Sequence, residues 1–221
     1  MPNREFADRA AAGERLASLV PDSLHGDTVV VGLARGGVAV AAEVARRLGA
    51  PLDVVAVRKV GHPRQPEYAL GAVAPDSDGV YLRSTNGLTR AQLSAEVERA
   101  VTSAAELDER LHAHHPPLDL RGRTVVLVDD GLATGATMVA AIRWARKCGA
   151  ERVAAAVPVA AATSATLVRR EADEFVCVHE TDRFSSVSTW YRRFEQLDDD
   201  TVVRLLDDAR NGRGSPPVAG A

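Results

Sequence analysis

Apolar positions along this chain fall into two patterns, helical stripes and short continuous runs. Residues 5–20 place Phe6, Leu16, Leu19 and Val20 at helical spacing and stop at Pro21, which predicts an amphipathic helix. Thr28–Leu33 (TVVVGL) is a continuous apolar run, as expected of a strand buried on both faces. Ala34, Arg35, Gly36 and Gly37 follow, then a helical stripe (VAVAAEVARRLG) that stops at Gly49, then a second buried strand over 52–58 (LDVVAVR). Strand, glycine turn, helix and strand make a βαβ unit, so the strands should be parallel.

The pattern then breaks. KVGHPRQPE (59–67) carries prolines, glycine and charge and reads as a loop or a hairpin arm, with strand-like pieces at 68–74 and 79–83. Residues 88–113 form a long polar helix, whose Glu96, Glu98, Arg99, Glu106, Glu109 and Arg110 read as a solvated face. After the connector HHPPLDLRGR, a third strand runs into a helix over 135–148 that Gly149 closes. A fourth strand (153–160), a helix (163–172), a fifth strand (EFVCVHE) and a helix near 198–210 complete the order. The expected organisation is one α/β domain over 1–211, with its core at about 28–180, a helical insert at 88–113 and an accessory C-terminal helix. NGRGSPPVAGA, at the end, has the composition of a disordered tail, which the domain boundary places at 212–221.

Composition narrows the function classes. The chain has 221 residues, 27 Lys and Arg against 30 Asp and Glu, and a formal net charge of −3, which gives no reason to expect a nucleic-acid partner. No apolar run reaches membrane-spanning length, and the N-terminus has no apolar signal region. Cys148 and Cys177 lack metal-type spacing, so a reduced, cytoplasmic setting is expected, with Cys177 a buried small hydrophobe. His114 and His115 have no third ligand nearby.

The chemistry is concentrated in VVLVDDGLATGAT, residues 125–137. Asp129 and Asp130 end a buried strand, where open α/β sheets bind ligands. Small residues and hydroxyls then open a helix, where free N–H groups and the helix dipole favour a phosphate. The acids do not favour a phosphate; they favour hydroxyl donors. A sugar phosphate satisfies both halves.

This stretch resembles the phosphoribosyl pyrophosphate signature of the type I phosphoribosyltransferases. The resemblance implies their fold, a central parallel sheet flanked by helices with a small accessory hood. It implies that Asp129 and Asp130 hold the ribose hydroxyls, and that Ala133, Thr134, Gly135, Ala136 and Thr137 cradle the 5′-phosphate. Ala34, Arg35, Gly36 and Gly37 resemble the family's pyrophosphate loop, in which a cis or strained peptide is common. Arg58 and Lys59, at the end of the next strand, are similar to basic pairs that face the pyrophosphate. The stretch after them is placed like the family's mobile catalytic loop, where His62 and Arg64 could supply charge to the leaving group, His62 reading more readily as an ordinary exposed loop residue, and Glu67 is a candidate site carboxylate. Mg²⁺ is the implied cofactor, held mainly by substrate and water rather than by a protein cage.

The implied reaction transfers phosphoribosyl from phosphoribosyl pyrophosphate to a nitrogen acceptor. The acceptor is left open, as is a homo-oligomer. Ala133 stands where 6-oxopurine members commonly carry an aspartate base, which argues against those purines. ARGGV, RKVG and PEYALGAVA are similar to bacterial members of undefined acceptor. The alternative is a non-catalytic regulator on the same fold that binds phosphoribosyl pyrophosphate or a nucleotide. Phe184, Trp190, Tyr191 and Phe194 read as packing for a terminal helix, and less readily as an acceptor wall.

Overall fold

The computed structural model describes residues 5–75, 80–85 and 87–211, and for Pro66, Glu67 and Tyr68 the backbone alone. The expected tail at 212–221 lies outside the described residues.

The apolar runs become the strands of a five-stranded parallel sheet. Its members are β1 (Thr28–Leu33), β2 (Leu52–Val55), β6 (Thr124–Val128), β7 (Arg152–Ala161) and β8 (Glu174–Thr181), in the order β2-β1-β6-β7-β8. Alternate residues face opposite layers. Val29, Val31, Val125, Leu127 and Val153 pack under α4 (Ala136–Lys147) and α5 (Ala162–Glu171). Val30, Val54, Val126, Val128 and Ala154 pack under α1 (Arg9–Ala17), α2 (Gly36–Leu48) and α6 (Asp199–Arg210). The chain goes outward from β1 to β2 and returns past β1 to β6, so the β1–β6 boundary is where the order reverses and a crevice opens.

The stretch expected as one strand over 52–58 is two. After Val55 the Ala56 N–H turns to Asp108 Oδ1 at 3.1 Å, and Arg58 begins antiparallel pairing with Val73. Arg58 and Lys59 therefore open a second sheet instead of ending a strand of the first. That sheet is β3 (Arg58–His62), β4 (Gln65–Val73) and β5 (Tyr81–Leu82). The 59–67 stretch is a hairpin, and His62 is buried, not exposed. Its Nδ1 accepts the Arg64 N–H at 3.2 Å across the turn. Arg64 is exposed.

The long helix α3 (Arg90–Leu111) covers this small sheet, with Leu93, Val97 and Ala100 packed on Val60, Leu70 and Val73. Its N-terminus is closed by a reciprocal capping box of Thr89 and Gln92. Its far end is fixed by His112. That ring is nearly buried and lies between Asp53 Oδ1 (3.1 Å) and Asp108 Oδ2 (3.1 Å), while Asp53 Oδ2 accepts the Leu118 N–H at 2.8 Å. Burial pulls the His112 pKa down, but the hydrogen bonds to Asp108 and Asp53 outweigh it and push the value up to about 10.

Candidate active site

Two loops meet at the β1–β6 boundary. The first leaves β1 through Leu33 and Ala34, with a cis Ala34–Arg35 peptide, and enters α2 at Gly36. The second leaves β6 through Asp129 and Asp130 and enters α4 after Gly135, which holds φ +77°. α2 and α4, like α5, have no side-chain cap, whereas Asp8, Thr89 and Asp198 cap α1, α3 and α6. Uncapped N-terminal N–H groups are ready donors to an anion.

The glycines of the first loop let the second come close. A Cβ on Gly36 would lie 2.0 Å from Asp130 Oδ2, and one on Gly37 would lie 2.5 Å from the Val128 carbonyl oxygen. The two motifs, almost a hundred residues apart in the chain, are thus in van der Waals contact.

The acid pair has partners that the sequence did not announce. Asp129 Oδ1 accepts the Asp130 N–H at 2.8 Å, and Asp130 Oδ2 accepts Arg9 Nε at 2.9 Å. Arg9 comes from the first turn of α1. Its Nη1 donates to the Glu195 carbonyl at 2.7 Å, and its guanidinium lies 3.9 Å from the Phe194 ring centre. The Tyr191 hydroxyl donates to the Asp130 carbonyl at 2.6 Å. Burial and the charge of Asp130 push the Asp129 carboxyl well above its ordinary value, against Arg9 and Lys59. Burial also raises Asp130, but Arg9 opposes this. Lys59, exposed on β3, therefore belongs with the acids electrostatically.

The phosphate-type loop is held at two neighbouring residues, Leu132 and Ala133. Leu132 bridges to β7, its N–H donating to the Val159 carbonyl at 2.8 Å and its carbonyl accepting the Ala161 N–H at 2.9 Å. Ser164 Oγ donates to the Ala133 carbonyl at 2.7 Å. Ala133 and Thr134 are exposed, Gly135 and Ala136 are buried, and Thr137 is half-buried. The Ala136 N–H leans toward Thr134 Oγ1 at 3.5 Å.

The basic residues expected at one place divide into two groups. Lys59 acts on the acids through its charge, which opposes the rise of the Asp129 pKa. Arg35 instead pairs through Nε with Asp199 at the head of α6, and Arg110 of α3 reaches the other oxygen of that carboxylate at 3.2 Å. Arg58 joins this second group. Its Nε donates to Ser103 Oγ at 3.3 Å, and burial, followed by the nearby Arg35 and Arg110 charges, lowers its pKa. Glu67 sits on the backbone of β4, and its side chain lies outside the described residues.

Tyr191 and Phe194 pack with Phe6, and Trp190 stacks on His179 of β8 at 5.7 Å. This cluster fastens the N-terminal segment, with a Phe6–Tyr191 bridge, and so carries Arg9 to Asp130. Arg9 and Asp199 are not singled out by the sequence, Arg110 reads there as solvated surface and Tyr191 as packing for a terminal helix, because nothing in local spacing links them to the motifs; the structure pairs Arg110 with Asp199 and Tyr191 with Asp130. Among the described residues no group of three or more His, Cys, Asp and Glu forms a metal cage, and no helix is long and apolar enough to cross a membrane.

Comparison with known proteins places this geometry among relatives. The family model described as the phosphoribosyl transferase domain matches residues 5–193. A Mycobacterium tuberculosis protein that bears the name of a phosphoribosyl transferase is 42% identical over 208 residues, covering 92% of this chain and 47% of its own length. This chain therefore spans about half the length of that relative. An adenine phosphoribosyltransferase of Mycobacterium marinum is 32% identical over 154 residues, covering 70% of this chain and 66% of its own. A Thermus thermophilus protein of known crystal structure is 40% identical, with a TM-score of 0.78, covering 91% of this chain and 97% of that one.

Proposed function

We propose that this chain, which belongs to the phosphoribosyl transferase domain family, moves the 5-phosphoribosyl group of phosphoribosyl pyrophosphate to a nitrogen acceptor. In that reaction the nitrogen forms a bond to C1 of the ribose and loses its proton. The C1–O bond breaks, and pyrophosphate leaves with the electron pair. The observation that carries the reading is the contact of the two motif loops, with Gly36 against Asp130 at the sheet's crossover point.

Asp129 and Asp130 accept hydrogen bonds from the ribose hydroxyls and favour the positive charge that grows on the ring. The N–H groups and hydroxyls of Ala133–Thr137 hold the 5′-phosphate at the head of α4. The Ala34–Gly37 loop, with Arg35, Arg58 and Lys59, receives the pyrophosphate. Catalysis of this kind is positioning plus fixed charge. Mg²⁺ would be held mainly by substrate and water, since among the described residues no metal cage forms and one oxygen of Asp130 is taken by Arg9. When bound, the ion supplies charge neutralisation on the leaving group.

Ala133 is exposed and carries no carboxylate, so an acceptor that needs a base there is disfavoured. The test is pyrophosphate release from phosphoribosyl pyrophosphate and Mg²⁺ across a panel of purine, pyrimidine and amine acceptors. Release with at least one acceptor, lost in Asp129→Asn, supports the reading. Tight binding of phosphoribosyl pyrophosphate with no release from any acceptor would favour the non-catalytic binding module instead.

A further inference from the structure

The acidic turn Asp198-Asp199-Asp200 lies on a group of arginines. Asp199 uses both oxygens, one for Arg35 Nε and one for Arg110 Nε. Asp198 caps α6 through the Thr201 N–H at 2.8 Å, and Asp200 is exposed. Arg35 makes no other hydrogen bond among the described residues, so its two terminal nitrogens stay available, and its side chain is 27% exposed. Arg110 also donates to the Glu106 carbonyl at 3.0 Å. Arg58 stands in the field of both arginines and, among the described residues, bonds only the neutral Ser103 hydroxyl. A cavity of about 470 Å³, lined by Arg35 and residues 196–200, opens beside them.

One carboxylate bridging two guanidiniums, with a third close by, leaves the cluster short of negative charge. A pyrophosphate group has more oxygens and more charge than Asp199 and suits the same forked donors better. The acids that line the cavity would repel that group for as long as they stay in place.

We propose that Arg110, delivered by α3, is a further pyrophosphate-binding residue alongside Arg35, and that the Asp198–Asp200 turn is an internal competitor which the ligand must displace. This rests on the leaving-group role given to Arg35 above. It adds a residue from outside the sheet core and a built-in opponent to that subsite. Asp199 lies two positions beyond Leu197, in the segment that also receives Arg9 at Glu195.

Isothermal titration of the full chain with inorganic pyrophosphate, with and without Mg²⁺, tests this without requiring any transfer reaction. Asp199→Asn should bind pyrophosphate about tenfold more tightly than the wild type, and Arg110→Met about tenfold more weakly, the scale of one charged hydrogen bond. Arg110→Lys should recover part of the loss. If Asp199→Asn does not fold, the two Arg110 variants decide. Equal affinity of wild type, Asp199→Asn and Arg110→Met would overturn the proposal. Arg35→Met reports separately on the earlier reading: unchanged pyrophosphate affinity there would remove Arg35 from the leaving-group subsite.

Discussion

Raising the pH should unfasten the end of α3. His112 is 8% exposed in its side chain and carries a proton shared between two carboxylates, with a pKa pushed up to about 10 from 6.5. The unfolded chain releases that proton near 6.5, while the folded chain keeps it until near 10. The contribution to stability is therefore complete below pH 6.5 and lost as pH rises through 10. The difference of about 3.5 units corresponds to roughly 5 kcal/mol as a ceiling, falling by about 1.4 kcal/mol per pH unit inside the window. His112→Leu should remove this slope. It should also cost roughly 3–5 kcal/mol at about pH 6, because Asp53 stays buried with the Leu118 N–H and with Arg210 at 3.8 Å. The assay is urea unfolding of both proteins from about pH 6 to about pH 9. At higher pH the Cys177 thiol, which burial pushes up to about 12, adds a loss common to both. Parallel stability curves for wild type and variant would refute the reasoning. A steeper wild-type curve would support it, and Arg110, two residues before His112, should lose its position over the same range.

The other predictions concern the acid pair. Gly36→Ala should destabilise the fold by about 1–3 kcal/mol and abolish ribose 5-phosphate binding in calorimetry, since its Cβ would meet Asp130 Oδ2 at 2.0 Å and that oxygen is pinned by Arg9. Asp129→Asn should raise the melting temperature at neutral pH while weakening ribose 5-phosphate binding, because a carboxyl whose pKa is raised in the fold destabilises it once ionised. A lower melting temperature with unchanged binding would contradict this. Arg9→Met leaves two adjacent withdrawn carboxylates without their cation, so its melting temperature should fall further at about pH 8 than at about pH 5. An equal drop at both pH values would mean that Arg9 acts only through packing on Phe194.

Much of this protein was legible from residue order. Continuous apolar runs such as TVVVGL and VAAAVPVA can only be satisfied by strands covered on both faces, and the glycine turns between them dictate parallel crossovers. The acid pair followed by T-G-A-T carries its own chemistry in its spacing. So the fold class came from local patterns, and the structure agrees with it; the two motif loops meet at the β1–β6 boundary. Local pattern could not say where the second strand breaks, because that depends on Asp108 offering its carboxylate to the Ala56 N–H from 52 residues away. It could not pair Arg9 with Asp130, 121 residues apart, or Arg35 with Asp199, 164 apart. An arginine on an amphipathic helix and an aspartate at a helix start look like ordinary solvated charges in sequence. Their partners are chosen by packing: the Phe6–Tyr191 bridge brings α1 over the acid pair, and α6 lies against α2 so that its first turn meets the glycine loop. Periodicity and motif spacing determined which residues could do the chemistry. Tertiary structure decided which charges face one another, since Coulomb and hydrogen-bond partners depend on distance in space and not on separation along the chain.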